Sequence, residues 1–153
     1  MRAWRAFLEA HAAVIDVLEA ELERHQGLPL TWYDVLVQLS EAPRGKRRMQ
    51  DLARSVLLSK SGLTRLIDRM ERAGFVRRER CADDARGVIA ALTPAGRARL
   101  RAAAPVHLRG VEQHFAAQLA DGEAQVVAKA MERVARVLGR AAPEAERTRV
   151  PQH

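Results

Sequence analysis

The stretch from Ser59 to Pro94 constrains the fold more than any other part of the chain, because its apolar period changes abruptly midway. In KSGLTRLIDRMERA, Leu63, Leu66, Ile67 and Met70 recur at helical spacing and form one stripe. Lys60, Ser61, Thr64, Arg65, Asp68 and Arg69 fall on the other face. Ser59 is placed to cap the N-terminus of this helix, and Gly74 to end it in a left-handed conformation. Two short β-type runs follow at once, FVRRER (75–80) and VIAALT (88–93), joined by CADDARG (81–87). Val88, Ala90 and Leu92 are expected to alternate inward. Thr93-Pro94 then starts another helix, with the cap at Thr93 and proline in the first helical position.

The flanks are helical. Trp4, Phe7, Leu8, His11, Val14, Ile15, Leu18 and Leu22 mark a helix from about residue 2 to 25, stopped by Gly27 and Pro29. That helix is long for so small a chain, so part of its stripe should face a partner subunit. A second helix is expected from Thr31, with Thr31 as cap, Asp34 as capping-box partner, and Trp32, Val35, Leu36 and Leu39 inward. EAPRG (41–45) reads as a loop and MQDLARSVL (49–57) as a short helix with Leu52, Ala53, Val56 and Leu57 inward. The helix after Thr93 should run to about residue 119, offering Val106, Leu108, Val111, Phe115 and Leu119 for packing. A last helix from Asp121 carries Val126, Val127, Ala130, Met131, Val134, Val137 and Leu138. Residues 140–153 have no apolar period and are expected to be disordered. Six helices with a short β-hairpin make a mainly α fold, an α+β winged helix.

Charge points to the partner. Between Arg44 and Arg101 there are 16 Lys and Arg against 6 Asp and Glu, a net of +10, whereas the rest of the chain nets −3. A basic block between neutral or acidic flanks is a docking surface for a polyanion. In a helix–turn–helix pair the second helix enters the DNA major groove. Other classes find little support. There is no glycine-rich phosphate loop, nucleophile elbow or paired metal-ligand motif, so neither an enzyme nor a cofactor is expected. His107 and His114 are seven apart with no cysteine nearby, a poor zinc site. No apolar run approaches the ~20 residues of a membrane span, and Glu9, His11 and Asp16 interrupt the first helix, which excludes a signal peptide. A single cysteine suits a reducing, cytoplasmic location.

Residues 52–100 closely resemble the core of the MarR family of bacterial transcriptional regulators. The resemblance rests on a leucine-rich short helix, the segment Met70 to Arg78, the wing triplet Asp84-Ala85-Arg86, and the helix start Leu92-Thr93-Pro94-Ala95-Gly96. With the flanking helices it spans roughly residues 3 to 139. It implies a homodimer with the first, fifth and sixth helices interwoven, a pseudo-palindromic double-stranded DNA operator, and usually a small-molecule inducer. On this basis residues 1–30 and 95–139 form a helical dimerisation region and 31–94 the DNA-binding lobe.

The site residues follow. The recognition helix, about 59–73, should lie in the major groove and present Lys60, Ser61, Thr64 and Arg65 to bases or phosphates, with Arg69 on phosphate. The wing, 75–93, should reach the minor groove through Arg86, restrained by Asp84. Asp84 could instead pair with Arg78 or Arg80 on the opposing strand, and Asp83 fits a turn. Many family members have arginine where this chain has Ala85, a departure that puts one possible phosphate contact of the family pattern in doubt. Cys81 reads as a neutral wing residue, the alternative being a redox thiol whose lowered pKa comes from neighbouring arginines and whose disulfide is intermolecular. For an aromatic-acid effector the candidates are Trp4, His11, Trp32 and Tyr33, with Arg65 or Arg54 for the carboxylate; each aromatic also reads as an ordinary core or interface residue. A winged-helix protein-interaction module, or a non-specific nucleoid-associated DNA binder, is the alternative reading.

Overall fold

A computed structural model describes residues 1–56, 58–80 and 87–138. The elements run α1 (Arg2–Gln26), α2 (Leu30–Ser40), β1 (Lys46–Arg48), α3 (Met49–Ser55), α4 (Lys60–Arg72), β2 (Val76–Arg80), β3 (Val88–Leu92), α5 (Pro94–His114) and α6 (Glu123–Val137), with 3-10 turns at Pro43–Gly45 and Ala116–Gln118. The three strands form one antiparallel sheet in the order β1-β3-β2. This is the winged-helix architecture expected. The chain divides into two compact units, Met1–Glu112 and a second beginning at Gln113.

Where local chemistry decides, expectation and structure agree. Ser59 Oγ accepts the Gly62 N–H at 3.1 Å and caps α4. At the other end Gly74 has φ 78°, its N–H bonds Glu71 O at 2.9 Å, and the Phe75 N–H bonds Met70 O at 3.0 Å. Those two bonds satisfy the last carbonyls of the helix and turn the chain directly into β2. Thr93 Oγ1 likewise accepts the Gly96 N–H at 3.0 Å and caps α5.

Several boundaries differ. α2 starts one residue before Thr31, with Pro29 at the cap position and no side-chain cap, so Thr31 and Asp34 form no capping box. Leu28 and Leu30 are both buried, which seats the chain earlier, and the Pro29 carbonyl takes the Trp32 and Tyr33 N–H groups at 2.9 and 3.1 Å. α3 ends at Ser55 rather than residue 57. α5 ends at His114 rather than 119, because Phe115 leaves helical geometry and Gln118 Nε2 takes over the Gln113 carbonyl at 3.0 Å. α6 starts at Glu123 rather than Asp121, after Gly122 at φ 81°. Glu123 Oε2 reaches back to the Ala120 N–H at 2.8 Å. β1 was not expected at all. It pairs Lys46, Arg47 and Arg48 with Ala91, Ala90 and Ile89. Val88 does not turn inward: it is 41% exposed at the outer end of β3, while Ala90 and Ala91 are both buried.

The core of the first unit joins Leu18 and Leu22 of α1, Val35, Leu36 and Leu39 of α2, Leu52 of α3, and Leu63, Leu66, Ile67 and Met70 of α4. Val76 and Ala90 of the sheet and Ala103 and Val106 of α5 complete it. Fully burying one such aliphatic side chain contributes ~1.5–3 kcal/mol. α4 therefore spends its whole apolar stripe on the interior, and its opposite face is left to solvent.

Candidate nucleic-acid interface

α4 presents Lys60, Ser61, Thr64, Arg65 and Arg69 on its exposed side, as their spacing predicts. Among the described residues none of Lys60, Arg65 and Arg69 is drawn into an ion pair. Thr64 Oγ1 donates to the Lys60 carbonyl at 2.9 Å, so its oxygen faces a partner as an acceptor. Ser61 Oγ lies 3.3 Å from Ser59 Oγ, at the helix N-terminus where backbone N–H groups favour an anion.

The sheet adds fixed charge beside this helix. Arg78 of β2 reaches across to α4: its guanidinium bonds Glu71 Oε2 at 2.7 Å, Asp68 Oδ1 at 2.6 Å and the Thr64 carbonyl at 3.1 Å. Glu79 sits between Lys46 Nζ, at 2.5 Å, and Arg77 Nε, at 2.8 Å. Those hydrogen bonds, that from Lys46 first, hold its carboxyl below the usual carboxylate range. Arg47 Nη1 donates to Gln38 Oε1 and Ser55 Oγ. A cleft of about 430 Å³ opens between these elements, lined among others by Arg48, Met49, Lys60, Leu63, Arg78 and Val88.

Asp83, Asp84, Arg86 and Cys81 lie outside the described residues, as does Ala85. Arg78, one of the alternative partners for Asp84, is already engaged by two carboxylates of α4. This link was not anticipated from the sequence. Its only signal is that Asp68 and Glu71 are the acidic residues of an otherwise basic helix.

The candidate effector residues fall into separate ring contacts. Trp4 stacks on Phe7 at 5.9 Å and Phe7 meets His11 at 6.0 Å, all on α1. Trp32 meets Phe75 edge-on at 6.0 Å, and Tyr33 lies 4.4 Å from His107 of α5. Arg54 is 3.8 Å from Asp51 on its own helix. The cleft of 430 Å³ is lined by none of these residues. Burial lowers the pKa of His107, whose Nδ1 has no hydrogen-bond partner among the described residues. Burial first, then Asp34 and Glu41, raises that of the Tyr33 hydroxyl. No three His, Cys, Asp or Glu side chains converge to hold a metal among the described residues. Nor is any described helix long and apolar enough to cross a membrane.

A capped helix with a basic, polar outer face, set against a short charged sheet, defines a winged helix-turn-helix DNA-binding protein. The sequence profile of the MarR family matches residues 26–87. YkoM of Bacillus subtilis, an HTH-type transcriptional regulator, is 30% identical over 127 residues, covering 83% of this chain and 80% of that protein. The crystal structure of AbsC, a MarR family regulator from Streptomyces coelicolor, superposes with a TM-score of 0.82 at 40% identity, covering 90% of this chain and 92% of that one. Another regulator of that family and organism, Sco3205, solved in complex with DNA, gives a TM-score of 0.82 at 35% identity over 94% and 92%. The chain belongs to the MarR family of transcriptional regulators, which are not enzymes.

Proposed function

We propose that the chain acts as a homodimeric repressor that reads a pseudo-palindromic operator, with α4 in the major groove and the wing, residues 75–93, in the minor groove. The observation that carries this reading is the face of α4: Lys60, Ser61, Thr64, Arg65 and Arg69 are exposed together while every apolar residue of the stripe is buried. The complex of Sco3205 with DNA supports it. Residues 1–30 and 95–139 serve as the dimerisation region and 31–94 as the reading lobe. Exposed apolar side chains favour a partner copy, including Trp4 (58% exposed), Phe7, Leu8 and Ile15 on α1, and Val126, Val134 and Val137 (81%) on α6. A small aromatic acid releases the DNA. The ring contact of Tyr33 with His107, whose Nδ1 lacks a partner among the described residues, supports a ligand of that chemistry.

The direct test is a gel shift on DNA flanking the chain's own gene, repeated with a panel of aromatic acids. Arg65→Ala should weaken binding by roughly 5- to 150-fold, the worth of one bidentate base contact, with thermal stability unchanged. Wild-type affinity in this variant would remove α4 as the reading element.

A further inference from the structure

Arg78 does more than a surface strand arginine needs to do. It sits in the middle of β2, opposite the buried Ala90 of β3, and only 26% of its side chain is exposed. Its backbone N–H donates to Glu71 Oε1 at 2.7 Å while its Nη1 donates to Glu71 Oε2, so one carboxylate grips both backbone and side chain. Its Nη2 is shared between Asp68 Oδ1 and the Thr64 carbonyl. Thr64, Asp68 and Glu71 follow one another along α4 at intervals of four and three, a single ridge facing the wing. Immediately beside that ridge stand Lys60, Ser61 and Arg65.

We propose that Arg78 is a positioning residue for DNA reading, setting the orientation of α4 relative to the wing so that both meet the duplex in one register. A planar guanidinium offers several donors in a fixed fork and can hold three acceptors at once, whereas an ammonium on a flexible stem cannot reproduce that geometry. The clamp also offsets one of the two negative charges on a helix that approaches phosphates. Because the ridge and the reading residues share one helix, a rotation of α4 permitted by loss of the clamp shifts every base contact together. Non-specific phosphate attraction, which depends on charge more than on angle, changes little.

This inference rests on α4 being the reading helix. The probes are the duplex most enriched from a random-sequence pool by the wild-type protein and a scrambled duplex of the same length. The quantity measured is the ratio of the two affinities. Arg78→Lys keeps the net charge and should lower the ratio roughly 10-fold or more, with scrambled-duplex affinity nearly unchanged. The double variant D68N/E71Q, in which Arg78 is intact and its two carboxylate anchors become amides, adds two positive charges that strengthen binding to the scrambled duplex; it should nonetheless lower the affinity for the enriched duplex, and with it the ratio. A wild-type ratio in either variant, with its melting curve showing it folded, overturns the proposal. If Arg78→Lys does not fold, the double variant decides alone. A ratio lowered only by changing Arg78 and not by removing its anchors means direct contact with DNA and also overturns it. A wild-type protein that enriches no sequence defeats the DNA-reading proposal itself, a result distinct from all of these.

Discussion

Gly96 stands where α5 leaves the wing. A Cβ added there would lie 2.1 Å from the Phe75 carbonyl oxygen and 2.9 Å from Leu92 Cδ1. Thr93 makes the neighbouring seam: its Oγ1 donates to the Gly74 and Phe75 carbonyls at 2.7 and 3.0 Å and its N–H bonds Phe75 O at 3.1 Å. The threonine ties the helix start to the end of α4, and the glycine lets the two backbones touch. Gly96→Ala is therefore expected to destabilise the fold by ~1–3 kcal/mol, the usual cost of overpacking, measured by urea unfolding. An unchanged midpoint would mean that the contact yields without strain. Both residues belong to the sequence motif Leu92-Thr93-Pro94-Ala95-Gly96, whose capping role is legible because it is local. The close approach is not, since it depends on a carbonyl some twenty residues earlier.

Among the elements, the helices that stand on their own chemistry were readable and those shaped by a neighbour were not. α4 carries its cap, its stripe and its terminating glycine within sixteen residues, so both its bounds and its outward face follow from spacing. β1 carries only KRR, with no alternation to mark it; the free edge of β3 makes it a strand. The same limit hid the Arg78 clamp, because which carboxylate a strand arginine meets depends on how α4 lies against the sheet. The aromatic candidates meet different partners: Trp4 and His11 pack on Phe7 of their own helix, whereas Trp32 meets Phe75 and Tyr33 meets His107, contacts set by tertiary packing. Between α2 and α5, the contact of Tyr33 with His107 has a pH signature. Burial lowers the folded-state pKa of His107 below its unfolded value of about 6.5. Below that value the unfolded chain binds more protons, so the stability contributed by neutral His107 is present above it and is lost as pH falls through the folded pKa. Urea unfolding from about pH 7.5 downward should show a loss that His107→Gln makes shallower. An identical pH profile in the variant would remove His107 as the titrating group.

For the whole molecule, the basic block of the sequence becomes an exposed helix face and a charged sheet, while apolar residues on α1 and α6 stay exposed, the faces assigned to a second copy in the proposed dimer. Two identical lobes related by a two-fold axis impose their symmetry on the DNA they read. The most direct measurement is therefore selection of bound duplexes from a random-sequence pool, followed by footprinting of the winner. The expected result is an inverted repeat with half-sites about 10 base pairs, one helical turn, between centres, both protected together, and an affinity that falls steeply with salt. An asymmetric single site, or a pool in which no sequence is enriched and affinity follows length alone, would contradict the dimeric, sequence-reading regulator proposed here.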